Sequence, residues 1–277
     1  MKTHSLEVAV GKRFEFGVNW RRFLRLLDDK RIAEAVSSIR EMLEVTDFEG
    51  LDFLDVGCGS GLFSVAARTM GARVHSFDYD PLCVACALEL KRTRFPEDHN
   101  WVVEQGSALD CDYLRRLGPF DVVLAWGVLH HTGAMWDALE NMISLVKPGG
   151  TLFLSIYNDQ GKLSDFWRMI KRVYNQMPRG LRFTILFPVG LYCLTTVTLS
   201  DFIHRRPLRV LTGNTRTRGM SIWTDIIDWV GGYPFEVAKP ERVIDLFIGH
   251  DFELRKLSTC GGRTGCNQFV LRKKAGK

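Results

Sequence analysis

The residues best suited to chemistry lie in a glycine-rich run, LDVGCGSG at positions 54–61, which follows a short apolar segment. Glycine at every second position lets the backbone approach a ligand closely and leaves the N-terminus of a following helix open. Asp78 ends the next apolar segment, 23 residues after Asp55, where a carboxylate can meet ribose hydroxyls. The run therefore predicts a nucleotide-binding turn. Its G-x-G-x-G spacing implies no pyrophosphate cradle, although a dinucleotide enzyme stays an alternative on this pattern alone.

Two adjacent histidines, His130 and His131, follow the fourth apolar run of the chain. They stand at the edge from which a parallel sheet usually faces its ligand. Because an imidazole titrates near neutral pH, either histidine is suited to act as general base toward a substrate hydroxyl. The alternative is that a histidine at this place only caps the following loop.

A second dense patch, residues 219–236, mixes aromatic and acidic side chains. Its members are Trp223, Trp229, Tyr233, Phe235, Asp225, Asp228 and Glu236. Asp225 and Asp228 are three residues apart, so they share a face if the segment is helical. Together with Trp20 and Tyr157, the patch predicts an aromatic pocket that carries carboxylates, as expected of a small-molecule site. The alternative is a packing bridge between an insertion and the core.

These residues need strands and helices to bring them together. Between residues 51 and 158, short apolar runs alternate with segments of helical period, such as 136–147, which is typical of βαβ units. The predicted strands are 51–57, 72–79, 101–106, 120–126, 151–157, 252–259 and 267–274. The sequence therefore predicts an α/β fold with a seven-stranded, doubly wound Rossmann-like sheet, mostly parallel, whose last strand is antiparallel.

Two segments fall outside the predicted sheet. Residues 1–50 are expected to form a helical N-terminal cap, and residues 159–250 form a large insertion between the fifth and sixth strands. Insertions of this size in a compact fold are usually functional, so a substrate-binding or lid role is expected. The core then consists of residues 51–158 and 251–277.

Composition sets the class of protein. The 277-residue chain has 46% hydrophobic and 25% charged residues, which excludes collagen-like, disordered and disulfide-scaffold proteins. Its seven cysteines are scattered and its N-terminal residues lack the apolar core of a signal peptide, so we expect a cytoplasmic protein. The charge balance, 37 Lys and Arg against 32 Asp and Glu, is too mild to predict nucleic acid binding by itself.

One region has a charge pattern of its own. Residues 162–218 contain eleven Lys or Arg and two Asp, and within them residues 183–200 carry no charge. This stretch is long enough to span a membrane, but Pro188, Gly190 and several hydroxyl side chains interrupt it. We expect a lid or hairpin that touches the inner membrane face, with flanking arginines on anionic headgroups. A helix buried against the core or in a homodimer interface is the alternative.

Four motifs in this order, FLDVGCGSG, SFDYDP, FDVVLAWGVLHH and LVKPGGTLFLS, resemble the class I S-adenosylmethionine-dependent methyltransferases. The resemblance covers residues 50–158 and, more weakly, the last two strands. Within that group the chain is most similar to the branch of the ubiquinone-biosynthesis O-methyltransferases. The resemblance implies S-adenosylmethionine as cofactor and S-adenosylhomocysteine as product, but none of the four motifs names a substrate. We expect O-methylation of a small or lipid-linked molecule, and the charge-free stretch 183–200 favours a lipophilic acceptor.

The resemblance also assigns the methionine end of a donor site. It implies that Asp55 orders the glycine turn near the amino group of the donor. Gly57 and Gly59 are expected to pass under the amino-acid portion, and Trp126 is expected to border the methyl group.

At the adenosine end, the resemblance implies that Asp78 accepts hydrogen bonds from the ribose hydroxyls. Tyr79 is expected to pack on the adenine, with Ser107 and Ala108 at the adenine edge. Ser107 stands where an acidic residue is common in the family.

In the ubiquinone-biosynthesis enzymes, the segment matching residues 127–131 resembles E-x-x-E-H and is associated with a divalent metal. Gly127 and His130 stand where those two glutamates would be, so no metal site is predicted. His131, His130 or Asp228 is predicted instead to deprotonate a hydroxyl acceptor.

Two other functions stay open at this point. The basic insertion favours an RNA methyltransferase, but its cations flank an apolar stretch and are not interleaved with aromatic residues for base stacking, which disfavours nucleic acid. The other is a protein that binds S-adenosylmethionine without transferring a methyl group, since a fold does not determine a function.

Overall fold

The computed structural model describes residues 2–203 and 222–276. Side chains are not described at positions 2–3, 193, 196–203 and 222–225. Within the described residues, seven strands form one sheet in the order β3-β2-β1-β4-β5-β7-β6. The strands are β1 Asp52–Val56, β2 Arg73–Asp78, β3 Trp101–Gln105, β4 Phe120–Trp126, β5 Val146–Tyr157, β6 Phe252–Ser258 and β7 Cys266–Lys273.

Strands β1 to β5 pair in parallel, and β7 is antiparallel to both β5 and β6. This confirms the predicted Rossmann-like α/β sheet with an antiparallel last strand. The strand predicted over 151–157 begins earlier, at Val146. The helix predicted over 136–147 ends correspondingly early, at Ser144. Pro148 disfavours helical backbone in the residue before it, which explains the early end.

Helices surround the sheet. They are α1 Lys2–Ala9, α2 Phe16–Leu24, α3 Asp29–Leu43, α4 Leu62–Thr69, α5 Pro81–Arg94, α6 Cys111–Leu117, α7 Met135–Ser144, α8 Lys162–Gln176, α9 Phe183–Ile203, α10 Ile222–Gly231 and α11 Pro240–Ile248, with short 3₁₀ helices at Leu129–His131 and Arg179–Leu181. Aspartates cap three of them. Asp28, Asp80 and Asp110 accept backbone N–H bonds at the first turns of α3, α5 and α6, which satisfies donors that a helix start leaves unpaired.

Two apolar clusters cover the two faces of the sheet. Helices α6, α7 and α11 contribute to one cluster, and α3, α4 and α5 contribute to the other. Both faces of the central strands are therefore buried, which is why their sequences are continuous apolar runs. Helix α11 closes the insertion predicted over 159–250, and its Val243 and Phe247 pack with the sheet.

A third apolar cluster joins the N-terminal cap to the insertion. It contains Phe14, Tyr174, Ile226 and Val230, with residues of α9 packed against it. Phe14 fills the space beside Gly231, where an added Cβ would lie 2.2 Å from its ring. Among the helices in the described residues, none is long and apolar enough to cross a membrane.

A buried chain of hydrogen bonds runs beneath the glycine turn. The Trp101 indole N–H donates to the Ser76 hydroxyl over 2.9 Å, and that hydroxyl donates to Ser64 over 2.8 Å. Ser64 donates in turn to the Asp55 carboxylate over 2.5 Å. This series of hydrogen bonds joins β3, β2, α4 and β1, so it holds the strands that carry the turn in one arrangement.

We expect Trp101→Phe to lower the free energy of unfolding by about 2–4 kcal/mol, because Ser76 loses its donor and a cavity replaces part of the indole. Urea denaturation at neutral pH measures the change. Val102→Ala on the same strand is the control, since Val102 is exposed, and its effect should stay within about 0.5 kcal/mol. An equal loss of unfolding free energy in both variants would contradict a stabilising role for this series of hydrogen bonds.

Candidate active site

The glycine turn lies at the carboxyl end of β1, as the sequence predicts. Gly57, Gly59 and Gly61 have φ of +69°, +55° and +81°, a left-handed conformation that side chains with a Cβ rarely adopt. A Cβ on Gly57 would lie 2.1 Å from a methyl of Val128. Glycine is therefore required here both by conformation and by space.

Two carboxylates hold this turn. Asp78 accepts the Gly59 N–H and the Asp80 N–H, each over 2.9 Å. Asp55 lies below the turn, is 3% exposed and accepts from Ser64. Burial is the main reason that the pKa of Asp55 rises to about 7 and that of Asp78 to about 6.

A cavity of about 250 Å³ opens above the turn. Eleven predicted site residues line it: Trp20, Gly57, Asp78, Tyr79, Ser107, Ala108, Trp126, His130, His131, Tyr157 and Asp228. Its wall includes the last residues of β1, β2, β4 and β5, which is the ligand-binding edge of a doubly wound sheet.

Other predicted residues lie elsewhere. Asp55 and Gly59 are outside the cavity wall, and a Cβ on Gly59 would lie 2.9 Å from the Trp20 ring. Tyr233 is also outside the wall, and its carbonyl accepts the Phe14 N–H over 2.8 Å. Trp223 and Asp225, also predicted to line the site, lie on α10, but their side chains are among those that the structure does not describe.

Sequence reasoning missed the contribution of Arg13. Its guanidinium lies 4.9 Å from the centre of the Tyr79 ring and donates to the carbonyls of His131 and Thr132 over 2.8 and 3.2 Å. It also pairs with Glu7 at 2.6 Å. Both Arg13 and Glu7 line the cavity. A single arginine before the first aromatic cluster carries no motif, so no signal in the sequence identifies it.

The N-terminal cap is also tied to the corner after β2. The Gly17 N–H donates to the Asp80 carboxylate over 2.8 Å, and the other Asp80 oxygen caps α5 at Leu82 N–H. His4 packs edge-on against Tyr79, with ring centres 5.4 Å apart, and its Nε2 lies 3.6 Å from Asp80. Burial lowers the pKa of His4, although Asp80 opposes the effect.

The histidine pair lies in the 3₁₀ helix after β4 and lines the cavity. His131 Nδ1 is 2.6 Å from the Pro234 carbonyl oxygen. Because a carbonyl only accepts, Nδ1 carries the proton, and Nε2 is the basic nitrogen of the neutral ring. The His131 ring packs 4.8 Å from Phe16, and the His130 ring packs 4.0 Å from Tyr157. The loop therefore fixes both the orientation and the tautomer of His131.

Glu236 has a structural role in holding this loop. Its carboxylate accepts the N–H groups of Gly133 and Met135 over 2.9 and 3.1 Å, at the start of α7. Its own N–H donates to the His130 carbonyl over 3.0 Å. These bonds join the segment before α11 to the loop after β4.

Asp228 lies at the same end of the cavity. Its carboxylate accepts the Asn19 amide N–H over 2.6 Å, and Asn19 is 3% exposed. Behind it, the fully buried Lys171 donates to the Trp229 carbonyl and lies 4.2 and 4.7 Å from the ring centres of Trp229 and Phe235. Burial is the main reason that the pKa of Lys171 falls to about 7, with Asp228 opposing it. Within the described residues, no group of three His, Cys, Asp or Glu side chains could hold a metal ion.

A family model described as a methyltransferase domain matches residues 25–186, more than half of the chain. The chain belongs to this methyltransferase family. It is of the class I type, which uses S-adenosylmethionine as methyl donor. The matched range contains the glycine turn, Asp78 and both histidines, so the methyltransferase motifs lie at the cavity. The N-terminal cap residues that also line it, and Asp228, fall outside the matched range.

Two curated relatives align with part of this chain. The chain is 35% identical over 116 residues to the ribosomal protein L11 methyltransferase of Methylococcus capsulatus, covering 42% of this chain and 36% of that protein. It is 33% identical over 120 residues to the ubiquinone biosynthesis O-methyltransferase of Caulobacter vibrioides, covering 40% and 42%. The match thus spans about two fifths of each relative's length.

Among solved structures, magnesium protoporphyrin IX methyltransferase from Synechocystis PCC 6803 with bound S-adenosylhomocysteine has a similar fold. The TM-score is 0.51 and the identity 14%, over 88% of this chain and 83% of that one. At this identity the likeness concerns the fold.

The raised pKa of Asp55 predicts how the stability of the methyltransferase depends on pH. An aspartate whose pKa is higher in the folded state stabilises the fold below about pH 4, and this contribution is lost as pH rises toward 7. Asp55→Asn keeps an acceptor for Ser64 but cannot ionise. We expect the variant to lose about 2–3 kcal/mol less stability than the wild type between pH 5 and 8, because the folded carboxyl stays protonated over about two of these pH units and each is worth about 1.4 kcal/mol.

Urea denaturation at the two pH values measures this difference. Asp112→Asn is the matched control, because Asp112 is 78% exposed in its side chain, and it should keep the wild-type pH dependence. An unchanged pH dependence in Asp55→Asn would show that this carboxylate does not carry the effect.

Proposed function

We propose that the protein transfers a methyl group from S-adenosylmethionine to a hydroxyl oxygen of a small or lipid-linked molecule. Membership of the methyltransferase family supports the methyl transfer. The observation that supports an oxygen acceptor is the basic nitrogen of His131, which its bond to Pro234 leaves at Nε2. An imidazole in the cavity wall is suited to remove a proton from a hydroxyl.

The cavity suits the adenosine part of the donor. We assign the ribose hydroxyls to the Asp78 carboxylate, which already holds the glycine turn through Gly59. The half-buried Tyr79 ring offers a face for adenine, and Ser107 and Ala108 line the wall beside it. A Cβ on Gly57 would collide with Val128, which also lines the cavity, so a side chain here would displace part of this wall.

The cavity also suits the charge of the donor, which is a sulfonium cation that supplies an electrophilic methyl group when bound. Aromatic faces attract such cations, and Trp20, Trp126 and Tyr157 all line the wall. Asp55 does not line the cavity, so its role here is to position the turn through Ser64.

At the acceptor end, we assign proton removal to His131 and orientation of the acceptor to Asp228. The carboxylate of Asp228 is itself fixed by Asn19. His130 packs on Tyr157 and so holds the aromatic wall. Most of the rate enhancement then comes from holding the acceptor in line and excluding water, with Phe16 and Trp20 of the N-terminal cap covering the cavity.

Donor binding is expected to depend on Asp78. Asp78→Asn keeps the size of the side chain but removes its charge, and loss of a charged hydrogen bond weakens binding by about tenfold or more. Isothermal titration calorimetry with S-adenosylhomocysteine measures this without turnover. Asp112→Asn makes the same charge change at an exposed site and should bind normally. If Asp78→Asn binds S-adenosylhomocysteine as tightly as the wild type does, the assignment of Asp78 to the donor site is wrong.

Methyl transfer is tested by incubating the protein with methyl-labelled S-adenosylmethionine and a cell extract. We expect label in the organic or aqueous small-molecule fraction, released as methyl iodide by hydriodic acid, as an oxygen-bound methyl should be. His131→Gln should slow labelling by about 10²–10⁴-fold while S-adenosylhomocysteine affinity persists. The exposed His99→Gln is the matched control.

Each other outcome points elsewhere. Label in RNA or protein would contradict a small-molecule acceptor. Label that resists hydriodic acid would contradict an oxygen acceptor. Absence of label despite donor binding would favour a protein that binds the donor without transferring its methyl group.

A further inference from the structure

Exposed large apolar side chains concentrate on one part of the described chain. Ten of nineteen fall between positions 163 and 194, each between 39% and 67% exposed. They are Leu163, Phe166, Met169, Val173, Leu181, Phe183, Phe187, Leu191, Tyr192 and Leu194. We refer to these ten residues as the apolar face. Concentrations of this kind on a protein surface usually mark an interaction site.

On α8 the exposed apolar residues form a row separate from the side that packs inward. Phe166, Met169 and Val173 are three or four residues apart and therefore neighbours on the helix surface. Lys171 and Tyr174 mark the side that is buried. The buried side of α8 is mostly polar, with Ser164, Lys171 and Asn175 beside Tyr174. The apolar row therefore faces solvent, whereas the apolar side of a surface helix normally faces the core.

Helix α9 repeats the arrangement. Phe183, Phe187 and Leu191 follow at intervals of four and are 64%, 67% and 52% exposed. Ile185 and Val189 occupy the other side and pack against the cluster that joins the cap to the insertion. Since this inner side already holds α9 to the protein, the outer row is not needed for folding.

Cations border the apolar face. Lys162, Arg168, Arg172 and Arg179 are exposed, and the nearby carboxylate on α8 is Asp165. Arg168 pairs with Asp165 at 2.6 Å, and Arg179 pairs with Glu15 at 3.2 Å. Even after these pairs, the border keeps a positive excess. Each Lys or Arg near an anionic lipid surface strengthens binding by about fivefold.

We propose that the apolar face docks the protein on an anionic membrane surface, with Phe166, Phe183 and Phe187 entering the lipid and the bordering cations on the headgroups. The charge distinguishes this occupant from a second copy of the chain, because pairing two such faces would bring like charges together. The inner side of α8 contacts Trp229 through Lys171, so the docked segment also forms the back of the acceptor end. The inference requires lipid contact only, and it does not depend on the proposed methyl transfer.

Vesicle flotation with the full-length protein tests the proposal. We expect flotation with phosphatidylcholine vesicles that contain phosphatidylglycerol, and little with phosphatidylcholine alone. Flotation should fall at about 0.5 M salt, where charges are screened within a few ångströms. Arg172→Gln with Arg179→Gln should reduce the preference for phosphatidylglycerol. Flotation that is independent of both phosphatidylglycerol content and salt concentration would overturn the electrostatic part of the proposal.

The apolar contribution is tested by Phe183→Ser with Phe187→Ser, which should weaken flotation at least tenfold. Leu88→Ser with Leu257→Ser is the matched control, because these exposed leucines lie outside the apolar face, and it should float normally. Unchanged S-adenosylhomocysteine affinity in each variant shows that the fold is intact. This readout also separates failure of docking from failure of the proposed function.

Two results would overturn membrane docking. One is equal flotation of the face and control variants. The other is a dimer, measured by light scattering, that the Phe183 and Phe187 changes dissociate while the wild type does not float. The second result would make the apolar face a contact between two copies of the chain.

Discussion

The two carboxylates that hold one glycine turn are the constraint on which the site depends. Asp55 is buried below the turn, and Asp78 lies in the cavity wall. Asp78 holds the turn directly through the Gly59 amide, and Asp55 holds it through Ser64. Burial raises the pKa of both groups, so keeping them ionised near neutral pH opposes folding. The apolar packing on both faces of the sheet compensates for this. The turn is thus a place where stability is given up for a binding geometry.

The N-terminal cap connects the two ends of the cavity. Arg13 packs on Tyr79 at the donor end and donates to the His131 carbonyl at the acceptor end. Further along the cap, Asn19 donates to Asp228. A single short segment therefore fixes groups that the sheet places on different strands and loops. Displacing the cap would therefore disturb both ends of the cavity together.

The insertion has two sides of different character. Its inner side contributes Asp228 to the cavity wall and packs Lys171 against Trp229, while its outer side carries the apolar face. Helix α8 therefore contacts both solvent, through its exposed apolar row, and the residues behind the cavity, through Lys171. For a lipid-linked acceptor, the two sides together would place the membrane and the reacting group within one structural unit.

Local sequence patterns predict the sheet, the glycine turn and most of the residues that line the cavity. These depend on local patterns, because a buried parallel strand needs a continuous apolar run and a left-handed turn needs glycine. The position of Arg13, the tautomer of His131 and the structural role of Glu236 follow instead from tertiary contacts. Each depends on partners about a hundred residues away in the chain, and no local pattern records such a contact. The place of Asp55 below the cavity was decided in the same way, since its distance from the ligand depends on how α4 packs over β1.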